Sequence, residues 1–215
     1  RRFRMAARLA HVLRSLDPAP PRVSSAASSA EQAHGTHPTW LELSRAALHH
    51  NVEICRRAAG GDGIHFIASV KANAYGHGVV PVSEMLAEVG VDTLWTGSFE
   101  DATALRSAGL ESRVLMFAGA LPSAMGELIE AGVTPTIVNL EAAQAVSDAA
   151  TEPTPVCVKV DCGFGRLGAR VDKGALELLR QISKLPNVVL ECVYTHLPFT
   201  DAPGLEWAMA GTRAF

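Results

Sequence analysis

Ser69-Val70-Lys71-Ala72-Asn73-Ala74-Tyr75-Gly76-His77-Gly78 closes an apolar run, Ile64 to Val70, with a lysine and a glycine-spaced aromatic turn. The run predicts a buried strand, and the glycines predict a sharp turn at its C-terminal end. A lysine amine walled by apolar groups loses its proton at modest cost, because burial disfavours the ammonium form. A neutral amine beside a turn is what Schiff-base chemistry with an aldehyde cofactor needs. The competing reading is an exposed lysine at a strand end, and the decapeptide by itself leaves both open.

Working outward, the same strand-then-helix unit repeats. Short apolar runs predict strands near 64–70, 92–97, 113–117, 133–138, 155–160 and 188–194. Helical periodicity falls between them, near 79–89, 99–108, 122–131, 140–149 and 172–184. Gly90, Gly109 and Gly132 follow three of these helices closely, as C-terminal glycines do. Upstream, a short strand is expected at 40–43. Ser44 then caps a helix through Arg57, which Gly60-Gly61 ends. Repeated units of this kind predict an α/β fold with a parallel sheet. Six strands without a pause suggest part of a (β/α)8 TIM barrel, about six of its eight strands. A doubly wound sheet gives similar periodicity and stays open at this point.

The chain has 215 residues, 48% of them hydrophobic, and a net charge of −3. That supports one sizeable core and gives no basic surface for nucleic acid. No uninterrupted apolar stretch is long enough to cross a bilayer. Cys55, Cys157, Cys162 and Cys192 form no C-x-x-C pair and no cluster with histidine, so no metal set is expected. They read as reduced thiols of an intracellular, cytoplasmic protein.

Residues 1–38 differ from the rest. Arginines open the segment, and Pro18, Pro20, Pro21 and an Ala/Ser run follow. Such composition buries too little apolar surface to offset its ordering entropy. An organelle transit peptide and translation upstream of the true start both fit, the second slightly better. A secretory signal fits poorly, because Arg8 and His11 interrupt its apolar region. The expected division is therefore a disordered or targeting extension at 1–38 and a barrel domain at 39–215. The chain begins at Arg1 and stops at Phe215 inside an apparent helix, so a piece of a longer protein is expected.

A second glycine-rich stretch runs from Val158 to Gly168 and contains G-x-G-x-x-G after a strand. Taken alone it is a weak dinucleotide fingerprint. Four strand–helix units precede it, and the acid expected after the next strand is only loosely matched by Glu191. Strand parity puts Lys159 on one face with Cys157 and Asp161, opposite Val156, Val158 and Val160. A lysine inside an apolar strand needs a reason, since its unpaired charge is costly to bury. Arg166 sits on a glycine-flexed loop and is able to grip a carboxylate through two parallel hydrogen bonds. An ion pair with Asp161 would explain it equally well. His196 ends the strand at 188–194. Lys71, the Lys159–Arg166 stretch and His196 thus lie at the C-terminal ends of three strands, where barrels build active sites. His77 belongs to the turn after Lys71, His49-His50 reads as a solvated helix face, and Glu100-Asp101 as an acidic first turn that suits the helix dipole.

In combination these pieces resemble the N-terminal barrel part of the alanine racemase family, fold-type III enzymes of pyridoxal 5'-phosphate. Thr39 to Leu43 with Ala47 to Asn51 is similar to the family's opening strand and helix. Val70 to Gly78 resembles its cofactor-lysine motif, and Ser98 to Ala102 with Ala104-Leu105-Arg106 its second barrel helix. Lys159 to Gly168 resembles K-x-D-T-G-M-x-R-x-G, and Tyr194-Thr195-His196 with Asp201 the sixth strand end. The resemblance implies that Lys71 holds the cofactor and serves as one of two acid/base groups. It implies that Tyr75 helps hold the phosphate and that Arg166 contacts the cofactor's phenolic oxygen and the substrate carboxylate. Lys159 would match a lysine often carbamylated in the family, and His196 would pack against the cofactor ring. The expected activity is interconversion of L- and D-alanine, which supplies D-alanine for peptidoglycan, by a cytoplasmic homodimer. The second acid/base group, a tyrosine of the partner subunit's C-terminal β-domain, is expected outside this chain, as are the last two barrel strands. The 215 residues alone are therefore expected to be inactive.

Cys162 and Phe164 replace the usual Thr and Met beside Arg166, and Pro198 interrupts the segment after His196. Retuning of the substrate pocket is the expected result. A broad-specificity amino-acid racemase remains an alternative. So do a barrel decarboxylase, an aldolase or a cofactor carrier using the same cofactor, a non-catalytic remnant, and a nicotinamide oxidoreductase.

Overall fold

Ser44 caps the first described helix, as expected. Its hydroxyl accepts the Ala47 amide at 3.2 Å and caps α1, Arg45–Ala59. The computed structural model describes residues 41–61, 65–171, 173–197 and 202–215. The expected extension at 1–38, Trp40, Pro198 and Asp201 lie outside them. The strand expected at 40–43 does not form over its described part, because 41–43 carry no regular structure.

The chain then alternates. It runs β1 (Ile67–Ser69), a short turn α2 (Lys71–Tyr75), α3 (Val79–Glu88), β2 (Thr93–Thr96), α4 (Phe99–Ser107) and β3 (Arg113–Gly119). A 3-10 turn (Pro122–Ala124), α5 (Met125–Glu130), β4 (Val133–Ile137), α6 (Leu140–Ala149) and β5 (Thr154–Asp161) follow. The two-residue β6 (Ala169–Arg170), α7 (Lys173–Ile182), β7 (Val188–Tyr194) and α8 (Ala202–Ala214) complete it.

Strand order decides between the two architectures left open above. The ladder runs β1-β2-β3-β4-β5-β7, every pair parallel, with β6 attached to the end of β5. A doubly wound sheet reverses its strand order at a switch point. This one never reverses, so it is a singly wound wall, six strands of a partial TIM barrel.

Alternation along the strands sorts the side chains. The outward positions Leu94, Val114, Ile137, Val156 and Val158 are fully buried against helix residues including Leu105, Leu128, Val146 and Ile182. That layer is the main core and supplies most of the stability. The inward positions are more polar and touch across the lumen. Arg113 on β3 forms a bidentate ion pair with Glu191 on β7 and also bonds Thr134 on β4. Glu191 reaches the lumen through a bulge: Val156 pairs with Leu190, whereas Cys157 pairs with Cys192. Tyr194 on β7 donates to the Phe117 carbonyl on β3 at 2.9 Å and bonds Thr136 on β4 at 3.0 Å.

Candidate functional site

Lys71 follows β1, and what comes next is unusual. Ala72, Asn73, Ala74 and Tyr75 have φ of 52°, 55°, 51° and 56°, a full left-handed turn without a single glycine. Sterics make this conformation unfavourable by about 1–2 kcal/mol for each L-residue. The turn is held by what surrounds it. The Asn73 amide donates to both carboxylate oxygens of Asp101, at 3.2 and 3.3 Å, and the Asn73 side chain accepts the Val79 amide at 2.7 Å. The His77 ring contacts the Ala74 carbonyl at 3.0 Å, so this histidine orders the loop. The Tyr75 hydroxyl reaches the Ser69 hydroxyl at 3.3 Å, and the ring is 60% exposed.

The Lys71 Nζ lies 5.6 Å from the Tyr75 ring centroid and 5.4 Å from that of Phe117. Among the described residues it makes no ion pair. Gly97 makes this approach possible, because a Cβ there would sit 3.1 Å from the Phe117 ring. Phe117 packs edge-on to Trp95 at 5.9 Å, and Trp95 to Tyr194 at 4.7 Å. The Lys159 Nζ lies 5.9 Å from the Tyr194 ring. An aromatic floor drawn from β2, β3 and β7 therefore links the two lysines. Motif reading missed Trp95 and Phe117. Their inward parity on short apolar strands was the available signal.

Lys159 faces inward, with Val156, Val158 and Val160 buried on the opposite side, and is itself 3% exposed. Burial and, less strongly, the Arg166 charge hold its amine below the usual lysine range, while Asp161 pulls the other way. Burial also pushes the Tyr194 phenol up.

The glycine-rich stretch has a structural reason. The Asp161 carboxylate accepts the amides of Gly163 and Gly165, at 2.9–3.1 Å. Gly168 has φ of 131°, and a Cβ there would meet the Asp161 backbone nitrogen at 2.8 Å. The glycines fold the loop back so that β6 can pair with β5. That removes the dinucleotide reading, since the motif does not open a helix after the first strand of a Rossmann unit. No ion pair joins Asp161 to Arg166 among the described residues; the Asp161 carboxylate accepts loop amides instead. Arg166 is exposed and stacks over the Phe164 ring at 4.7 Å, and Phe164 meets the His196 ring edge-on at 5.2 Å. Cys162 departs from its expected place in the pocket: it packs with Val160 and Ala175 in a satellite core.

Partial burial, then the charges of Arg166, Lys159 and Lys71, hold the His196 imidazole below its usual range. All three cations thus act on one histidine, and the residues singled out in the sequence converge at one end of the wall. His49 stays apart, bonded to the Met85 carbonyl and Glu88. Among the described residues no cluster suits a metal.

An aldehyde-bearing, phosphorylated cofactor fits these side chains. Among the described residues, Lys71 has no carboxylate partner and lies between two aromatic faces, with a hydroxyl pair and the exposed Arg166 at the same end of the wall.

Comparison with known proteins identifies the family and the fold. Residues 43–214 match the family described as alanine racemase, N-terminal domain. Alanine racemase of Methanococcus maripaludis is 34% identical over 170 residues, covering 78% of this chain and 45% of that protein. That of Geobacillus stearothermophilus is 33% identical over 165 residues, covering 76% and 42%. The solved alanine racemase of Clostridium difficile 630 superposes with a TM-score of 0.78 at 27% identity, covering 83% of this chain and 47% of that one. The Bacillus anthracis alanine racemase with bound L-Ala-P gives 0.72 at 26% identity, covering 81% and 46%. The chain spans less than half the length of these curated relatives.

Proposed function

This chain belongs to the alanine racemase N-terminal domain family, and on that premise we propose that its full-length protein interconverts L- and D-alanine with pyridoxal 5'-phosphate. The observation that carries the reading is the Lys71 amine, without an acidic partner among the described residues and flanked by Phe117 and Tyr75, at the strand ends that also gather Lys159, Arg166 and His196. When bound, the cofactor supplies an electron sink that makes the substrate α-proton removable. Every other task falls to the protein.

Lys71 would hold the cofactor and carry the α-proton on one face, through Nζ. The Tyr75 hydroxyl, paired with Ser69, would donate to the phosphate. Arg166, aimed by its stack on Phe164, would contact the cofactor's phenolic oxygen and bind the substrate carboxylate. His196 would pack on the cofactor ring, and its neutral form suits that contact. Lys159 is a buried amine with a depressed proton affinity, which suits reaction with carbon dioxide. Its nitrogen would bond the carbon and release a proton, and the carbamate anion would then position Arg166. Racemisation also needs a proton carrier on the opposite face. On this reading a partner subunit in a homodimer provides it from beyond these 215 residues, and the chain alone is inactive.

In the full-length protein, borohydride should fix pyridoxal phosphate on Lys71, identified by peptide mapping. Lys71→Ala should abolish exchange of the alanine α-proton with deuterium. Cofactor fixed to another lysine, or exchange at the original rate, overturns the assignment.

A further inference from the structure

We propose that Asp101 is a positioning residue for the Lys71 amine: its buried carboxylate clamps the left-handed turn that sets Lys71 and Tyr75 relative to each other. This deepens the reading above and rests on it for the link to cofactor.

Asp101 is 8% exposed and lies in the first turn of α4, 28 residues from the turn it holds. Its carboxylate takes the Asn73 amide on both oxygens and the Thr96 hydroxyl at 3.3 Å. Thr96 is fully buried at the end of β2, and its hydroxyl also accepts the Ser98 amide. Ser98 in turn caps Asp101 itself, at 3.1 Å. Asn73 passes the constraint on by accepting the Val79 amide at the start of α3. One polar hub therefore ties the end of β2 and the starts of α3 and α4 to a backbone segment that L-residues avoid.

Such a segment persists only where its surroundings over-determine it. Asn73 is the centre of the left-handed run, and its N–H has no acceptor inside that run. Without Asp101 that part-buried donor would lose its protein acceptor. The run would then be free to relax to right-handed geometry, swinging Lys71 and the Tyr75 hydroxyl apart. A first-turn carboxylate that only favoured the α4 dipole would have no reason to face a neighbouring turn.

The test uses the full-length protein and pyridoxal 5'-phosphate. Asp101→Ala should weaken cofactor binding about ten-fold, equivalent to about 1.4 kcal/mol, and slow borohydride fixation at Lys71. Ala72→Gly in the Asp101→Ala background should recover most of that loss, because glycine adopts positive φ without strain. Ser147→Ala removes a comparably buried hydrogen bond, to the Pro186 carbonyl, and should leave cofactor affinity unchanged. If Asp101→Ala does not fold, Asp101→Asn keeps an acceptor without the charge and should lose about two- to three-fold in affinity. Amide exchange of Asn73 in cofactor-free protein should accelerate in either variant. Wild-type cofactor affinity or unchanged Asn73 exchange in the Asp101 variants overturns the clamp, as does an equal loss in Ser147→Ala. A wild-type protein that takes up no cofactor instead overturns the functional reading, with the Asn73 exchange result still deciding the clamp.

Discussion

The Lys159 side chain shows how a residue's environment and its use are linked. Burial lowers its proton affinity from the usual 10.5. The unfolded chain therefore binds more protons between the lowered value and 10.5, so stability rises as pH climbs through that window. Below it the desolvation penalty is constant and complete. Lys159→Met should remove the penalty and stabilise the cofactor-free protein at neutral pH by about 1–3 kcal/mol. The gain should shrink as pH rises toward 10.5, measured by urea unfolding across pH. Parity placed Lys159 correctly from the sequence, because its alternation with Val156, Val158 and Val160 is local information. Asp101 was legible only as an acidic helix start. Its partner amide lies 28 positions away, and nothing in Ala-Asn-Ala-Tyr except the asparagine marks a left-handed run.

At the scale of elements, the return loop from β5 to β6 is the most exacting. Gly168 lies 2.8–3.0 Å, measured from an added Cβ, from the backbone of Lys159, Val160 and Asp161. Backbone cannot yield as a flexible side chain would. Gly168→Ala should destabilise by about 2 kcal/mol or more, and thermal unfolding reads that loss. In the full-length protein it should also raise KM for alanine more than it lowers kcat, because the loop that aims Arg166 would shift. The sequence pattern revealed that these glycines matter but not why. G-x-G-x-x-G is compatible with a phosphate cradle and with a tight reversal, and the Asp161 carboxylate that occupies the loop amides separates them. The helices and longer strands were readable to within a few residues, since each pairs an apolar face with a capping or glycine signal. The strand expected at 40–43 has no partner among the described strands, and local propensity alone does not make a ladder.

Over the whole molecule, the wall is curled by contacts that skip strands: Arg113 to Glu191, Tyr194 to the Phe117 carbonyl, and Trp95 to Tyr194. The alternation of units predicted a parallel sheet, but only the strand order showed a barrel wall. Strand parity marks Trp95 and Phe117 as inward, but only that curvature brings them together with Tyr194. Lys71 follows the first strand of the ladder, while Tyr194 ends the last and His196 follows it. Their meeting is a product of curl. Cofactor at a hundred times its dissociation constant should raise the stability of the full-length protein by about 2.7 kcal/mol, read as an upward shift of the unfolding midpoint. Lys71→Ala should abolish most of that shift.

The left-handed run beneath Lys71 has one more consequence. Mirror-image building blocks are at home there: a semisynthetic chain carrying a D-alanine in place of Ala72 would place that residue in its own preferred basin. At this solvent-facing site, inverted stereochemistry should toughen the fold, the opposite of its effect in any ordinary helix.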